Sequence, residues 1–188
     1  MHNSKGLTLM EVLVTVSILT LVFGMTFGAM RIYDISISMG STKSNLSAQA
    51  TQALNKMKEE LAKSNPSKII IVPDMGIHNS LPSNPEWLQF QIPLPQLDAN
   101  QNIRWGNGIT INWWIQYYIQ NVTKANQLIS EREGTKTVLA NDITNLQFDP
   151  FPATGNYLDI TVTASKPIQR GIVPALSVTM STRVDFKN

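Results

Sequence analysis

Few residues of this chain could carry out catalysis. The sequence has no cysteine, which excludes a disulfide framework, a thiolate metal site and a cysteine nucleophile. Its two histidines are His2 and His78. It contains no Gly-x-Ser-x-Gly, His-Glu-x-x-His or Walker sequence. We therefore predict a protein that is not an enzyme and that needs no cofactor or metal.

One polar cluster resembles the start of a calcium-binding loop. Asp98, Asn100 and Asn102 have the spacing of its first three ligands. However, Ile103 stands where that loop needs glycine, and Ile109 where it needs a bidentate glutamate. The sequence favours a hydrated turn.

Three other short motifs have simple structural interpretations. Gly106–Gly108 is a lone Gly-x-Gly, which is more typical of a tight turn than of a phosphate-binding loop. The pair Glu59 and Glu60, and the pair Glu131 and Glu133, are predicted to lie on solvated faces rather than to act as acid and base.

Glu11 is a carboxylate in an unusual place. It is the only charged residue from Leu7 to Met30, a run long enough to cross a bilayer, which takes about 20 residues. An ionised side chain in a membrane costs roughly 2.5–3.5 kcal/mol on insertion scales, so Glu11 indicates a function or a partner. The alternative is that it lies near the helix end and reaches the membrane surface.

The residues before and after Glu11 form a motif. The chain begins MHNSKG and continues LTLMEVLV. This segment resembles the prepilin cleavage and methylation motif of type IV pilins and pseudopilins, over about the first 30 residues. The resemblance implies that a membrane-embedded prepilin peptidase cleaves between Gly6 and Leu7 and that Leu7 is N-methylated. It also implies that Glu11 pairs with the N-terminal amine of a neighbouring subunit.

Two residues depart from the common pattern of that family. Many members have Phe in place of Leu7 and Leu in place of Met10, but both replacements remain apolar. A secretory signal peptide would also explain an apolar N-terminus. Its apolar region normally has about 7–15 residues and ends at an Ala-x-Ala-like site, and neither feature is clear here.

Composition excludes some partners. The 188 residues suit one domain with an appendage. There are 15 basic and 13 acidic residues, for a net charge of +2, and no basic run exceeds a pair. We therefore do not expect a nucleic acid partner.

A long helix is predicted from Leu7 to about Lys63, ending before Asn65-Pro66. Its second half has an apolar face, with residues three and four apart: Leu46, Ala50, Ala53, Leu54, Met57 and Leu61. The opposite face is polar: Asn45, Gln49, Gln52, Lys56, Glu59 and Lys63. Gly24, Gly28 and Gly40 weaken the middle of the helix, or alternatively Gly24 and Gly28 allow close packing between helices.

Beyond Pro66 the pattern changes to the period of β-strands. We predict strands at 68–72, 88–92, 108–122, 127–133, 138–140, 143–148, 158–164 and 176–186, with a loop at 73–85 and a turn at 124–126. The expected fold is α+β, with a mostly antiparallel sheet under the second half of the helix. Adjacent Trp113 and Trp114 would face opposite sides of a strand, so one of them is a candidate for an external contact.

The resemblance implies four regions. These are a leader at 1–6, a membrane and assembly helix at 7–30, its amphipathic continuation at 31–65 and a β-rich head at 66–188. It also implies a single-pass protein of the bacterial inner membrane with an extracytoplasmic head, which then enters a filament. Its partners would be the prepilin peptidase and other minor and major pilins or pseudopilins.

A looser resemblance narrows the family. The segments 113–118, 127–132, 138–148 and 183–188, with helix residues 55–61, are similar to J-type minor pseudopilins of type II secretion and to W-type minor pilins. The sequence leaves open which subtype and which filament system apply. The expected function is a structural subunit near the filament tip. The alternative is a minor pilin whose head binds a surface, an exported substrate or DNA.

Overall fold

A computed structural model of the chain describes residues 8–73, 86–122, 125–149, 156–167 and 175–186. The chain divides into two compact units, Met1–Ser41 and Thr42–Asn188. One helix, α1 at Leu9–Leu61, is continuous across the boundary between them. The predicted helix therefore exists, and its predicted first residue, Leu7, lies outside the described residues.

The N-terminal unit consists of the first part of α1. Its large apolar side chains from Leu9 to Ile37 are 47–84% exposed, except for Ile35, which is half-buried. Helix α1 is long and apolar enough to cross a membrane, judged by length and composition, criteria that a signal sequence near an N-terminus also meets. Such a continuous exposed apolar surface favours an apolar environment or a partner helix.

The C-terminal unit is an α+β domain, as the sequence predicted. After α1, the described residues form a short 3₁₀ helix at Pro66–Lys68 and ten strands. The strands are β1 Ile69–Pro73, β2 Glu86–Phe90, β3 Ile92–Leu97, β4 Ile103–Gly106, β5 Ile115–Val122, β6 Ala125–Arg132, β7 Thr135–Asn141, β8 Ile143–Asp149, β9 Tyr157–Lys166 and β10 Leu176–Asp185. They form three antiparallel sheets, in the orders β1-β2-β5-β6-β7, β10-β9-β8 and β3-β4.

The apolar face of the second half of α1 packs on the larger two sheets. All six apolar residues predicted for this face are 0–4% exposed. They share one core with residues of the five-stranded sheet, such as Leu88 and Tyr117, and of the three-stranded sheet, such as Ile160 and Val162. The helix therefore buries its apolar face in a core that both sheets share, and apolar burial contributes about 25 cal/mol per Å².

The predicted strand at 88–92 is wrong because it is interrupted at Gln91. The backbone N–H of Gln91 donates to the Lys68 carbonyl (N···O 3.1 Å), and its carbonyl accepts from the Ser64 hydroxyl (Oγ···O 2.6 Å). These bonds join the end of α1 to the end of β2. The chain then starts β3, a strand of another sheet that the sequence did not reveal, since Pro93 and Pro95 are poor strand residues.

The predicted strand at 108–122 is too long, since β5 begins at Ile115. The preceding residues form turns, in which Gly108 has φ +95° and Asn112 has φ +62°. The Asn107 side chain is responsible for part of this geometry. Its Oδ1 accepts from the backbone N–H groups of Ile109 (3.0 Å) and Thr110 (2.8 Å). The expected tight turn at Gly106–Gly108 is confirmed.

Smaller differences concern strand ends. The predicted turn at 124–126 is wrong for Ala125 and Asn126, which already belong to β6. The predicted strand at 138–140 is longer, at Thr135–Asn141. The alternation of β9 and β10 is confirmed. Of the loop predicted at 73–85, residues 74–85 lie outside the described residues, as does His78.

Glu60 contradicts the prediction of a solvated face. Its side chain is 8% exposed, and its Oε2 accepts a short hydrogen bond from the Tyr117 hydroxyl. The same oxygen lies 2.7 Å from Nη2 of Arg132, and Oε1 lies 3.3 Å from Nζ of Lys56. A helical period of 3.6 places Glu60 beside Met57 and Leu61, so it faces β5 and β6. Glu59 is exposed, as expected.

These contacts outweigh the effect of burial on the Glu60 carboxyl. Burial alone would raise its pKa, but hydrogen bonds from Tyr117 and Arg132, the charge of Arg132 and the Lys56 contact lower it. A pKa that folding depresses stabilises the folded state above the unfolded pKa. That contribution is lost as the pH falls through the folded value.

We expect Glu60→Gln to lower the free energy of unfolding by about 2 kcal/mol at neutral pH, because a hydrogen bond to a charged group contributes about 1.5–3 kcal/mol. The variant should also lose less stability than the wild type as the pH falls below about 4.5, the range in which this carboxyl titrates. Urea unfolding at a series of pH values measures both effects. Glu59→Gln is the matched control, with an expected change under about 0.5 kcal/mol. Equal destabilisation by the two substitutions would contradict the role of Glu60.

Candidate functional site

Glu11 lies in the first turn of α1, where it forms a reciprocal pair with Thr8. Its Oε2 accepts from the backbone N–H of Thr8 and from the Thr8 hydroxyl, both at 2.9 Å. The Thr8 Oγ1 in turn accepts from the backbone N–H of Glu11 (3.3 Å), and the Thr8 carbonyl accepts from Val12 N–H (3.3 Å). Thr8 is thus the N-cap and Glu11 the third helical residue of a capping box.

The capping box explains how a charged residue can begin an apolar helix. The N-terminal end of a helix carries a partial positive charge, which favours a carboxylate there. Only Oε2 of Glu11 is occupied; in the described part of the chain Oε1 has no hydrogen-bond partner. The side chain is exposed, so this second oxygen is accessible to a group from outside the chain.

The other polar groups in this stretch of helix are neutral and satisfied internally. The hydroxyls of Thr15, Ser17, Thr20 and Thr26 each donate to the carbonyl four residues earlier, at 2.6–2.8 Å. Such bonds allow hydroxyl side chains in an apolar environment. Among the described residues before Arg31, Glu11 is therefore the only charged one.

Sequence analysis predicted three site residues, and the structure describes one of them. Glu11 occupies the helix start, whereas Gly6 and Leu7 lie outside the described residues, so cleavage and methylation remain predictions. Sequence analysis gave Thr8 no role. The signal was present, because Thr-x-x-Glu ahead of an apolar run is the sequence pattern of a capping box.

The other polar candidates form turns or partly buried contacts. The Asp98 carboxylate accepts from the backbone N–H groups of Asn100 (2.8 Å) and Asn102 (2.7 Å), which confirms a turn. These hydrogen bonds, first that of Asn102, lower the pKa of Asp98. Glu131 was expected to be solvated, but its side chain is 23% exposed and accepts from the Tyr118 hydroxyl (2.6 Å). Glu133 is exposed, as predicted.

The two adjacent tryptophans do not belong to a strand. Trp113 and Trp114 precede β5, so the prediction that strand geometry places them on opposite sides is wrong. Trp113 is 50% exposed and Trp114 is half-buried. Trp113 is therefore the one available for an external contact.

The comparisons with known proteins identify the N-terminal segment. Residues 1–27 match the model of the prokaryotic N-terminal methylation motif. That motif is the leader of type IV pilins and pseudopilins, and the match does not determine a subfamily. No curated protein and no solved structure matches the chain significantly.

We expect Thr8→Val to weaken the start of α1, because it removes the hydroxyl that both donates to and accepts from Glu11. Loss of an N-cap costs about 1 kcal/mol, which corresponds to about fivefold faster amide exchange in the first helical turn. Hydrogen exchange of the detergent-solubilised chain, read at the amides of Glu11 and Val12, which Thr8 accepts from, measures this effect. Thr8→Ser keeps the hydroxyl and is the control. Unchanged exchange in the valine variant would show that the capping box does not stabilise the helix.

Proposed function

We propose that this chain is a minor subunit of a type IV pilus or a type II secretion pseudopilus. The observation that carries the proposal is the methylation motif at residues 1–27, joined to a helix whose apolar surface is exposed from its first turn. A filament built from such helices would bury that surface between subunits. The α+β fold of the second unit is consistent with a pilin head.

In this proposal the prepilin peptidase removes residues 1–6 by cutting between Gly6 and Leu7, and Leu7 is then N-methylated. Gly6 lacks a side chain, so its backbone can closely approach a narrow protease site. The four regions expected from the sequence follow: leader 1–6, assembly helix 7–30, amphipathic continuation 31–65 and head 66–188. Before assembly the protein crosses the inner membrane once, with its head outside the cytoplasm.

Glu11 would set the register of assembly. Its Oε1 is open in the described structure, while Thr8 holds Oε2 in place. A neighbouring subunit's terminal amine could approach Oε1 without displacing Thr8. Two opposite charges in an apolar medium stabilise each other only when they meet, so a subunit inserted at the wrong height leaves both unpaired.

The head would act through contacts with other subunits rather than through catalysis. In the described part of the chain, no group of three or more His, Cys, Asp or Glu residues could hold a metal ion. The proposed partners are other minor and major pilins or pseudopilins, because the methylation motif implies assembly with other pilins. A second candidate function is a binding head, favoured by the half-exposed Trp113 and by the exposed Ile109 nearby in sequence (84% exposed).

Processing tests the first half of the proposal. Co-expression with a prepilin peptidase should shorten the chain by six residues and add one methyl group at Leu7. Gly6→Ala should strongly reduce both changes, because a methyl group obstructs close approach of the backbone. Intact mass and N-terminal sequencing measure the outcome. An intact leader, or cleavage beyond the apolar run, would contradict the proposal.

Assembly tests the second half. In its own cells, Glu11→Gln should still be cleaved but should fall at least fivefold in the sheared filament fraction, since a neutral amide cannot neutralise an amine. Ser17→Ala is the matched control: it lies on the same apolar helix, and its hydroxyl bonds only within the helix. Quantitative immunoblots of cells and sheared filaments give the ratio. Equal incorporation of the glutamine variant would exclude Glu11 as the pairing residue.

A further inference from the structure

A small pocket lies on the second unit, at the tip of the β6–β7 hairpin. Its volume is about 250 Å³, and its lining residues are Asn112, Trp113, Trp114, Gln116, Glu131, Glu133 and Gly134. The prediction of a structural or assembly role does not use this pocket. Two indole rings and two carboxylates line this one small space.

Strand register shows which side of the sheet the pocket occupies. Gln116 pairs with Glu131 across β5 and β6, while the next pair, Ile115 and Arg132, belongs to the helix side, where Arg132 contacts Glu60. Alternate residues of a strand face opposite sides. Gln116 and Glu131 therefore face away from α1, and Arg132 does not neutralise the pocket.

The hairpin turn forms one side of the pocket. Glu133 and Gly134 connect β6 and β7, with φ values of +51° and +77°. Gly134 has open space where a Cβ would lie. This two-residue turn places the Glu133 carboxylate at the pocket rim.

The charge of the pocket is negative and incompletely compensated. Glu133 makes no ion pair with any described residue. Glu131 has one nearby cation, Lys136, at a long Nζ···Oε2 distance of 3.9 Å, and that oxygen also accepts from Tyr118. The pocket therefore presents two carboxylates next to an indole ring that is 50% exposed.

We propose that this pocket binds the arginine side chain of a partner protein. A guanidinium is planar, so it can stack on Trp113 while its N–H groups donate to the carboxylates of Glu131 and Glu133. The volume suits one side chain rather than a peptide. A neutral sugar could also stack on tryptophan, but it would gain nothing from the two negative charges. The inference rests on the head alone and does not depend on leader cleavage.

Tryptophan fluorine resonances provide a direct test. The chain has four tryptophans, so the full-length protein labelled with 5-fluorotryptophan gives four ¹⁹F signals, assigned through single Trp→Phe variants. The detergent-solubilised protein is titrated with an acetylated, amidated Gly-Arg-Gly peptide and with the matched citrulline peptide, which has the same shape without the charge. We expect the Trp113 and Trp114 signals to shift with arginine and much less with citrulline, while Trp87 stays unchanged. Trp105 is not a control, because its carbonyl accepts from the backbone N–H of the pocket residue Asn112 (2.9 Å).

Substitutions then show how much each pocket residue contributes to arginine binding. Trp113→Ala should weaken arginine binding about two- to fivefold, the size of an exposed cation–π contribution. Glu133→Gln should remove most of the preference for arginine over citrulline. Glu133 is exposed, so this variant should keep the ¹⁹F spectrum of the folded protein. Glu59→Gln, an exposed carboxylate on α1, is the control and should leave binding unchanged.

Three results would overturn the inference. These are equal shifts with the arginine and citrulline peptides, shifts spread over all four tryptophans, or unaltered selectivity in Glu133→Gln. A chitin trisaccharide serves as a further probe. If it shifts Trp113 and Trp114 whereas arginine does not, the pocket binds sugar and the proposal is wrong.

Discussion

The structure depends on one helix that meets two different environments. From Leu9 to Ile37 its large apolar side chains, apart from the half-buried Ile35, are exposed, whereas from Leu46 to Leu61 its apolar face is buried against two sheets. Both segments belong to the one helix α1. Apolar burial supplies the main favourable term in folding, so only the second segment contributes to the stability of the isolated chain. The first segment can gain the same term from an apolar environment or from partner helices.

Polar contacts add specificity to the apolar packing between α1 and the sheets. Glu60 contacts Tyr117 of β5 and Arg132 of β6, and Ser64 holds the carbonyl of Gln91 after β2. Apolar side chains tolerate small displacements, but a buried carboxylate is stable only when its partners are in place. These contacts therefore fix the position of the helix along the sheet. Of these contacts, those of Glu60 depend on pH, because they require the carboxylate and hold its pKa below the usual value.

Much of this architecture could be predicted from the sequence. The apolar positions of α1, at spacings of three and four, identified every apolar residue of the buried face, because helix period and burial agree there. The alternation in β9 and β10 was equally clear. Residues whose conformation or burial depends on contacts with distant parts of the chain could not be predicted from the sequence. Gln91 ends β2 because Lys68 and Ser64 take its backbone groups, and Glu60 is buried because two distant strands supply its partners. The motif around Glu11 could be recognised in the sequence, but the role of Thr8 was identified only from its hydrogen bonds with Glu11.

The bonds at the end of α1 also have a mechanical consequence. Within the second unit, the contacts of Glu60 and the Ser64–Gln91 bond lie at the C-terminal end of the buried helix face, beyond most of its apolar contacts. They join this end to β5, β6 and the residue that follows β2. Lengthwise sliding of this helix segment over the sheets would therefore have to break apolar and polar contacts together.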